Sequence, residues 1–312
     1  MRRKRKRVIK LILNNIWTNR DIVKKCREQN LDLFNGIYIP QEFRKKIIRH
    51  LILNYGSNIN GLQPSLFLAI QGFRGEGKTF MLQTICENYN IEIKYISGSD
   101  LCGSNEGESK DKIQKIYETS CIDFSRTKKL VVIVIDDFHL SIASNLGENV
   151  SKTTNAQVLV GYLMNLADHP YQFNVRIPII LLGNNFQNIY PALIRNGRTD
   201  FYSWTPNIND KINIVYYMYR KFYPNIKIED VKQLVTLYPD KYIAFFKDVI
   251  QDLFFSGFDQ VVNEFEKQHG NFLLDEINGL VKNFLNVDNL ISLEYLKEFA
   301  AKRNSIKEGN FE

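Results

Sequence analysis

The sequence predicts an α/β fold, a parallel sheet flanked by helices, followed by a small all-helical domain. Three observations predict it. Apolar strand-like runs alternate with helical segments across residues 66–204. A glycine-rich turn, Gly72-Phe73-Arg74-Gly75-Glu76-Gly77-Lys78-Thr79, joins the first of these runs to the helix after it. Beyond Pro206 the apolar spacing is helical only. Continuous apolar strands separated by helices mean a parallel sheet covered on both faces.

Residues 1–35 form a basic amphipathic N-terminal segment, in which Val8, Ile9, Leu11, Ile12, Leu13, Ile16 and Trp17 make an apolar stripe at helical spacing. The expected arrangement is a helix docked on the body with a solvated basic face. Contact with nucleic acid or an anionic surface is the sharper alternative. Asn35-Gly36 signals a turn, and Ile37-Tyr38-Ile39-Pro40 reads as extended chain before proline. Phe43, Ile47, Ile48, Leu51 and Leu53 place a helix over 41–55, and a Gly/Ser/Asn/Pro loop follows over 56–64. Strands are expected at 66–71, 91–97, 130–135, 177–182 and 201–204, with helices near 80–89, 109–122, 154–168 and 188–196. Past Thr205-Pro206, helices are expected at 210–222, 229–237, 242–255, 260–265, 273–285 and 293–302. The division is thus the 1–35 segment, a nucleotide-binding α/β domain over 36–206 and a helical region over 207–312.

The 312 residues suffice for a full core, and 44% hydrophobic with 24% charged residues is ordinary for a soluble globular chain. The net charge of +7 is local: Arg2, Arg3, Lys4, Arg5, Lys6, Arg7 and Lys10 leave 34 basic residues against 34 acidic ones elsewhere. A neutral body argues against a surface built throughout for nucleic acid. Cys26, Cys86, Cys102 and Cys121 show no CxxC spacing and the histidines are scattered. Neither a disulfide framework nor a zinc site is indicated, so a reducing compartment is expected. No run approaches the length of a transmembrane helix. The opening residues make a poor secretory signal, whereas the lack of acids before Asp21 leaves an organellar targeting peptide open.

The chemistry starts at the glycine turn. Strand, glycine-rich turn, Lys-Thr and helix together are what a phosphate-binding P-loop requires. Backbone N–H groups and the helix N-terminus hold a triphosphate, Lys78 neutralises its β/γ end, and Thr79 is a Mg²⁺ ligand. The apolar run 131–135 ends in Asp136-Asp137. Ligands gather outside the C-terminal ends of parallel strands. Asp136 is therefore expected beside the Mg²⁺ and Asp137 beside the γ-phosphate, where it can polarise an attacking water. The strand at 177–182 runs into Gly183-Asn184-Asn185, so an amide at its tip can hydrogen-bond that water or the γ-phosphate. Arg195 and Arg198 stand three apart at an expected helix end closed by Gly197, and are expected to project together.

These parts in this order resemble an AAA+ ATPase, and more closely the green-type Rubisco activases. The resemblance rests on Gly36-Ile37-Tyr38-Ile39-Pro40 with Phe43 and on Gly75-Glu76-Gly77-Lys78-Thr79-Phe80. It continues in Ile96-Ser97-Gly98 with 103–108, and in Leu163-Met164-Asn165-Leu166-Ala167-Asp168. Arg176-Ile177-Pro178, Gly183-Asn184, Leu193–Arg198 and Phe201-Tyr202-Ser203-Trp204 complete it. What it implies is ATP and Mg²⁺ as cofactors, with Gly72, Gly75, Glu76, Gly77, Lys78, Thr79, Phe80 and Tyr38 around the nucleotide. Thr79 and Asp136 would hold the metal, Asn184 would be sensor 1, and Arg195 with Arg198 would reach a neighbour's nucleotide. Residues 98–107 and 141–153 would be pore loops.

The resemblance further implies a ring, a hexamer, that spends ATP to remodel Rubisco and release inhibitory sugar phosphates. It places the protein in a bacterial or cyanobacterial-type cytoplasm, with a chloroplast stroma as the alternative. Two departures stand out. The family reads Asn-Asp-Leu-Asp where this chain has Asp136-Asp137-Phe138-His139, and the sensor-2 arginine's place falls on Ile250, with Lys247 the nearest cation. The short basic N-terminal segment keeps two alternatives open: an AAA+ protein with another protein client, or a nucleic-acid-associated loader or helper bound through that segment.

Overall fold

The computed structural model describes residues 33–34, 36–56, 63–101, 107–138, 154–169, 173, 175–187, 189, 191–267, 278–279 and 292–308. The basic segment up to residue 32, half of the first expected pore loop (102–106), all of the second and nearly all of the expected 273–285 helix lie outside them. Contacts divide the chain into two units: residues 39–205, and residues 1–38 with 206–312.

In the first unit, five strands pair wholly in parallel: β3 (Phe67–Gln71), β4 (Glu92–Ser97), β5 (Val131–Asp136), β6 (Ile179–Gly183) and β7 (Thr199–Ser203), ordered β4-β5-β6-β3-β7. Val131 to Ile135 and Ile179 to Leu182 are buried at every position, as strands covered on both faces must be. The flanking helices are α1 (Gln41–Tyr55), α2 (Lys78–Asn88), α3 (Glu108–Thr127) and α4 (Thr154–Asp168). Ile113 and Tyr117 of α3, with Leu159, Leu163 and Leu166 of α4, join the central strands in one apolar core. Residues 191–196, expected inside a helix, belong instead with 197–198 to a run of turns leading into β7. Pro191 and Gly197 bracket this stretch, and Gly197 takes φ +92°, which breaks any helical continuation.

Helix α1 buries Phe43, Ile47 and Leu51 along one stripe. Its last residue, Tyr55, both donates to the Val131 carbonyl (2.6 Å) and accepts from the Val131 N–H (2.8 Å), satisfying the first residue of β5. Beside it Arg176 is buried, donating to Asn54 Oδ1 (2.9 Å) and the Pro64 carbonyl (2.9 Å). Asn54 in turn donates to the carbonyls of Ser65 and His50, each at 3.0 Å.

The second unit carries a two-stranded antiparallel hairpin, β1 (Leu33–Phe34) and β2 (Ile37–Tyr38), turned through Gly36 at φ +78°. It also holds α5 (Ile208–Tyr219), α6 (Ile228–Leu237), α7 (Ile243–Ser256), α8 (Phe258–Lys267) and α9 (Leu293–Glu308). Asn207 caps α5 by accepting the Asp210 N–H (2.9 Å). Val215, Tyr219, Val231, Leu234, Phe246, Val249, Ile250 and Leu296 form its core. Arg303 fastens α9 to α7 through Asp248 (2.7 Å) and Asp252 (3.0 Å). Among the described residues, no helix is long and apolar enough to cross a membrane.

Burial pushes the His50 imidazole down to about 4, against a smaller opposing pull from Asp200. The folded form therefore keeps His50 neutral, whereas the unfolded chain takes up that proton near 6.5. This contribution is full above pH 6.5 and is lost progressively as pH falls towards 4, by about 2 kcal/mol at pH 5. Urea midpoints measured between pH 7 and 5 should fall for the parent protein and fall less for His50→Leu. Equal slopes in the two would remove His50 as the cause.

Candidate functional site

The strand ends set the site. Gln71 pairs with Gly183 and with Ser203, and Ser97 pairs with Asp136. The C-terminal tips of β3, β4, β5, β6 and β7 therefore finish along one edge, where the glycine turn emerges from β3. Gly75 (φ +84°) and Gly77 (φ +76°) take left-handed backbone, which bends the turn back into α2. The Met81 N–H then bonds to the Gly77 carbonyl (2.9 Å), so the helix starts directly at Lys78. Two contacts hold the turn in place. The Trp204 indole donates to the Glu76 carbonyl (2.8 Å), and a Cβ at Gly72 would collide with the Trp204 carbonyl oxygen.

Lys78 is nearly buried, its ammonium donating to the carbonyls of Gly72 (2.6 Å) and Phe73 (2.9 Å). Burial pulls its pKa below the ordinary lysine value, while Asp136, Asp137 and Glu76 pull the other way. Thr79 Oγ1 donates to Asp136 Oδ2 at 2.9 Å. A hydroxyl and a carboxylate facing each other at a helix start are hard oxygen donors, the kind Mg²⁺ prefers. Thr79 and Asp136 thus fit the expected metal. Asp136 Oδ1 accepts the Asp137 N–H (3.0 Å). Asp137 itself takes φ +51° with an exposed side chain, a backbone region tolerated by aspartate that turns its carboxylate away from the strand line. Asn184 follows β6 directly and is exposed at its tip, between the ends of β5 and β3.

The two arginines do not project together. Arg198 is buried, with 8% of its side chain exposed, and clasps Asp168 through both carboxylate oxygens. It also donates to the Ala192 carbonyl. Arg195 is 62% exposed and only grazes Asp168, at 3.8 Å. A turn rather than a helix at this point explains the divergence, because spacing of three shares a face only on a helix. The Arg198 guanidinium, through its hydrogen bonds, holds the Asp168 carboxyl below its ordinary value.

Tyr38 falls in the helical unit, where its ring stacks on Tyr217 (6.2 Å between centroids) and its hydroxyl donates to Asp210 (3.0 Å). Phe80 is exposed on the first turn of α2. His139 lies outside the described residues, whereas Ile250 is fully buried in the helical core and Lys247 is exposed. Tyr95, the Trp204 side-chain bond and the Asp168 clasp were not anticipated. The alternation of β4 puts Tyr95 and Ser97 on one face, but only the pairing of β4 with β5 reveals that this face meets Asp136.

Residues 68–207 match the family described as "ATPase family associated with various cellular activities (AAA)". The chain is 33% identical over 219 residues to the Nostoc protein named ribulose bisphosphate carboxylase/oxygenase activase, covering 67% of this chain and 52% of that one. It is 30% identical over 255 residues to the Anabaena protein of the same name, covering 78% and 60%. The chloroplastic activase of Arabidopsis thaliana is 31% identical over 231 residues, covering 70% and 48%. The match thus spans about half the length of these relatives.

The asymmetry of the arginines is testable by stability alone. Arg198→Ala leaves the Asp168 carboxylate and the Ala192 carbonyl without their partner and should cost about 1–3 kcal/mol in urea unfolding. Arg195→Ala, at an exposed position, should stay within about 0.5 kcal/mol of the parent. Equal losses would contradict the structural difference between the two.

Proposed function

Residues 68–207 form a domain of the AAA family of ATPases, and from that premise we propose that this chain hydrolyses ATP to remodel a protein client, with Rubisco as the client. The observation that carries the reading is the Thr79–Asp136 oxygen pair at the mouth of the glycine turn.

In this reading, backbone N–H groups of 75–79 and the start of α2 grip the phosphates, and Lys78 leaves its carbonyls for the β/γ oxygens. Thr79 and Asp136 would hold Mg²⁺, which would supply charge neutralisation at the phosphates. The exposed Asp137 carboxylate orients the water that attacks the γ-phosphorus, the bond to the β–γ bridging oxygen breaks, and ADP and phosphate result. Asn184 adds a hydrogen bond to that water or the γ-phosphate. Arg195 is the residue exposed enough to serve a neighbouring subunit's nucleotide in a ring, taken as a hexamer. Arg198 serves instead as a brace on Asp168.

The activase names belong to the relatives, and they support Rubisco here as the client whose inhibitory sugar phosphates are released. They also support a cyanobacterial-type cytoplasm or a chloroplast stroma as the working place. They lend no support to a nucleic-acid client.

The deciding experiment mixes purified protein, ATP and sugar-phosphate-inhibited Rubisco, and recovery of carboxylation is expected. ATP hydrolysis without recovery would leave the ATPase and remove Rubisco. Lys78→Ala should abolish hydrolysis, and undiminished turnover would refute the phosphate-binding role. Arg195→Ala should lower kcat by roughly a thousandfold, as expected of a trans-acting arginine. Mixing Arg195→Ala with Asp137→Asn subunits should restore part of it, because intact halves then meet at shared interfaces. No restoration in well-mixed assemblies would exclude action in trans.

A further inference from the structure

Asp136 has a third donor that the nucleotide reading does not use. The Tyr95 hydroxyl donates to Asp136 Oδ2 at 2.7 Å, the same oxygen that Thr79 takes at 2.9 Å. With the Asp137 N–H on Oδ1 (3.0 Å), both oxygens are held and the plane of the carboxylate is fixed.

Tyr95 is half-exposed, and a tyrosine on an edge strand often bonds whichever carboxylate is nearest. What sets this one apart is how firmly β4 is pinned. The preceding residue, Lys94, faces the other side of the sheet and is tied to Asp123 of α3 (2.8 Å) and to Glu92 (2.7 Å). Two residues further on, Ser97 pairs in register with Asp136. The next residue is Gly98, where a Cβ would collide with the Asp137 carbonyl oxygen, so β4 packs against the aspartate pair more closely than any side chain allows. A strand fixed on both faces and at its tip delivers the Tyr95 hydroxyl to one place rather than to a sampled range.

We propose that Tyr95 is a positioning residue of the metal site, orienting the Asp136 carboxylate for Mg²⁺ while touching neither metal nor nucleotide. Carboxylates that bind metals are held by outer hydrogen bonds of this kind, and losing one typically costs tenfold or more in metal affinity. The inference rests on Thr79 and Asp136 being the metal site of the proposed ATPase.

The test uses the full chain and N-methylanthraniloyl-ADP, whose fluorescence reports binding, titrated with MgCl₂ and separately in EDTA. For the parent, Mg²⁺ should tighten binding. For Tyr95→Phe, which keeps the ring and removes only the hydroxyl, half-saturation should need about tenfold more Mg²⁺. Its affinity in EDTA and its Tm should match the parent within error. A Mg²⁺ requirement unchanged within twofold, or lowered, would overturn the role of Tyr95 while leaving the metal site standing. An equal loss in EDTA would also overturn it, marking Tyr95 as a support of the loop itself. Parent binding indifferent to Mg²⁺ would instead overturn the metal site, and Tyr95's role with it.

Discussion

The parallel register of β3 with its neighbours is the constraint on which the rest of the α/β unit depends. Gln71 lies level with Gly183 on one side and Ser203 on the other, so the glycine turn emerges between two strand tips. Each tip then does something to it. The Gly72 N–H bonds to the Gly183 carbonyl (3.3 Å), and Trp204, directly after β7, holds the Glu76 carbonyl. Gln71 Nε2 adds a bond to Ser203 Oγ (2.9 Å). A slip of one residue in β3 would separate these partners together. The glycine turn is therefore shaped by the strands that flank it as well as by its own glycines.

The same logic separates the two arginines. Both follow from one sequence block, yet the chain has to re-enter the sheet at Thr199, whose neighbour Arg198 gives its carbonyl to the Phe67 N–H (3.1 Å). Arg198 turns its guanidinium inside the unit, onto Asp168 and Ala192. Arg195, three residues earlier in the turn, accepts the Arg198 and Thr199 N–H groups through its carbonyl (3.2 and 3.3 Å), yet its side chain stays exposed. The two side chains thus part company within the turn that leads into β7.

Much of this was legible in the sequence because it rests on local rules. The apolar runs at 131–135 and 177–182 could only be covered strands, and the expected helix at 154–168 matches α4. What was not legible depends on pairing between distant segments. Tyr95 reads as one more strand aromatic until β4 is laid beside β5. The 188–196 stretch reads as helical from Ile189, Leu193 and Ile194, which are spaced for a helix but are gathered into the core by turns. Tyr38 stands in a motif that resembles the nucleotide-binding region of the activases. Its observed partners, Asp210 and Tyr217, come from helix α5 more than a hundred residues on. Tertiary packing outranks local pattern at each of these points.

The helical unit shows the same priority in its departure from the activase pattern. Ile250 is buried among Val249, Phe246 and Leu296, and a guanidinium at that depth would need partners that this core of aromatic and aliphatic side chains does not offer. The polar face of α7 is already engaged, since Asp248 and Asp252, one turn apart, both hold Arg303 of α9. Helix α7 has thus taken on the work of binding α9 to its neighbours, through apolar contacts on one face and ion pairs on another. Lys247 is the cation left exposed on that helix, as a mobile point charge rather than a planar fork. Helix α7 thus offers a single point charge and no planar fork that could clasp an anion in two places.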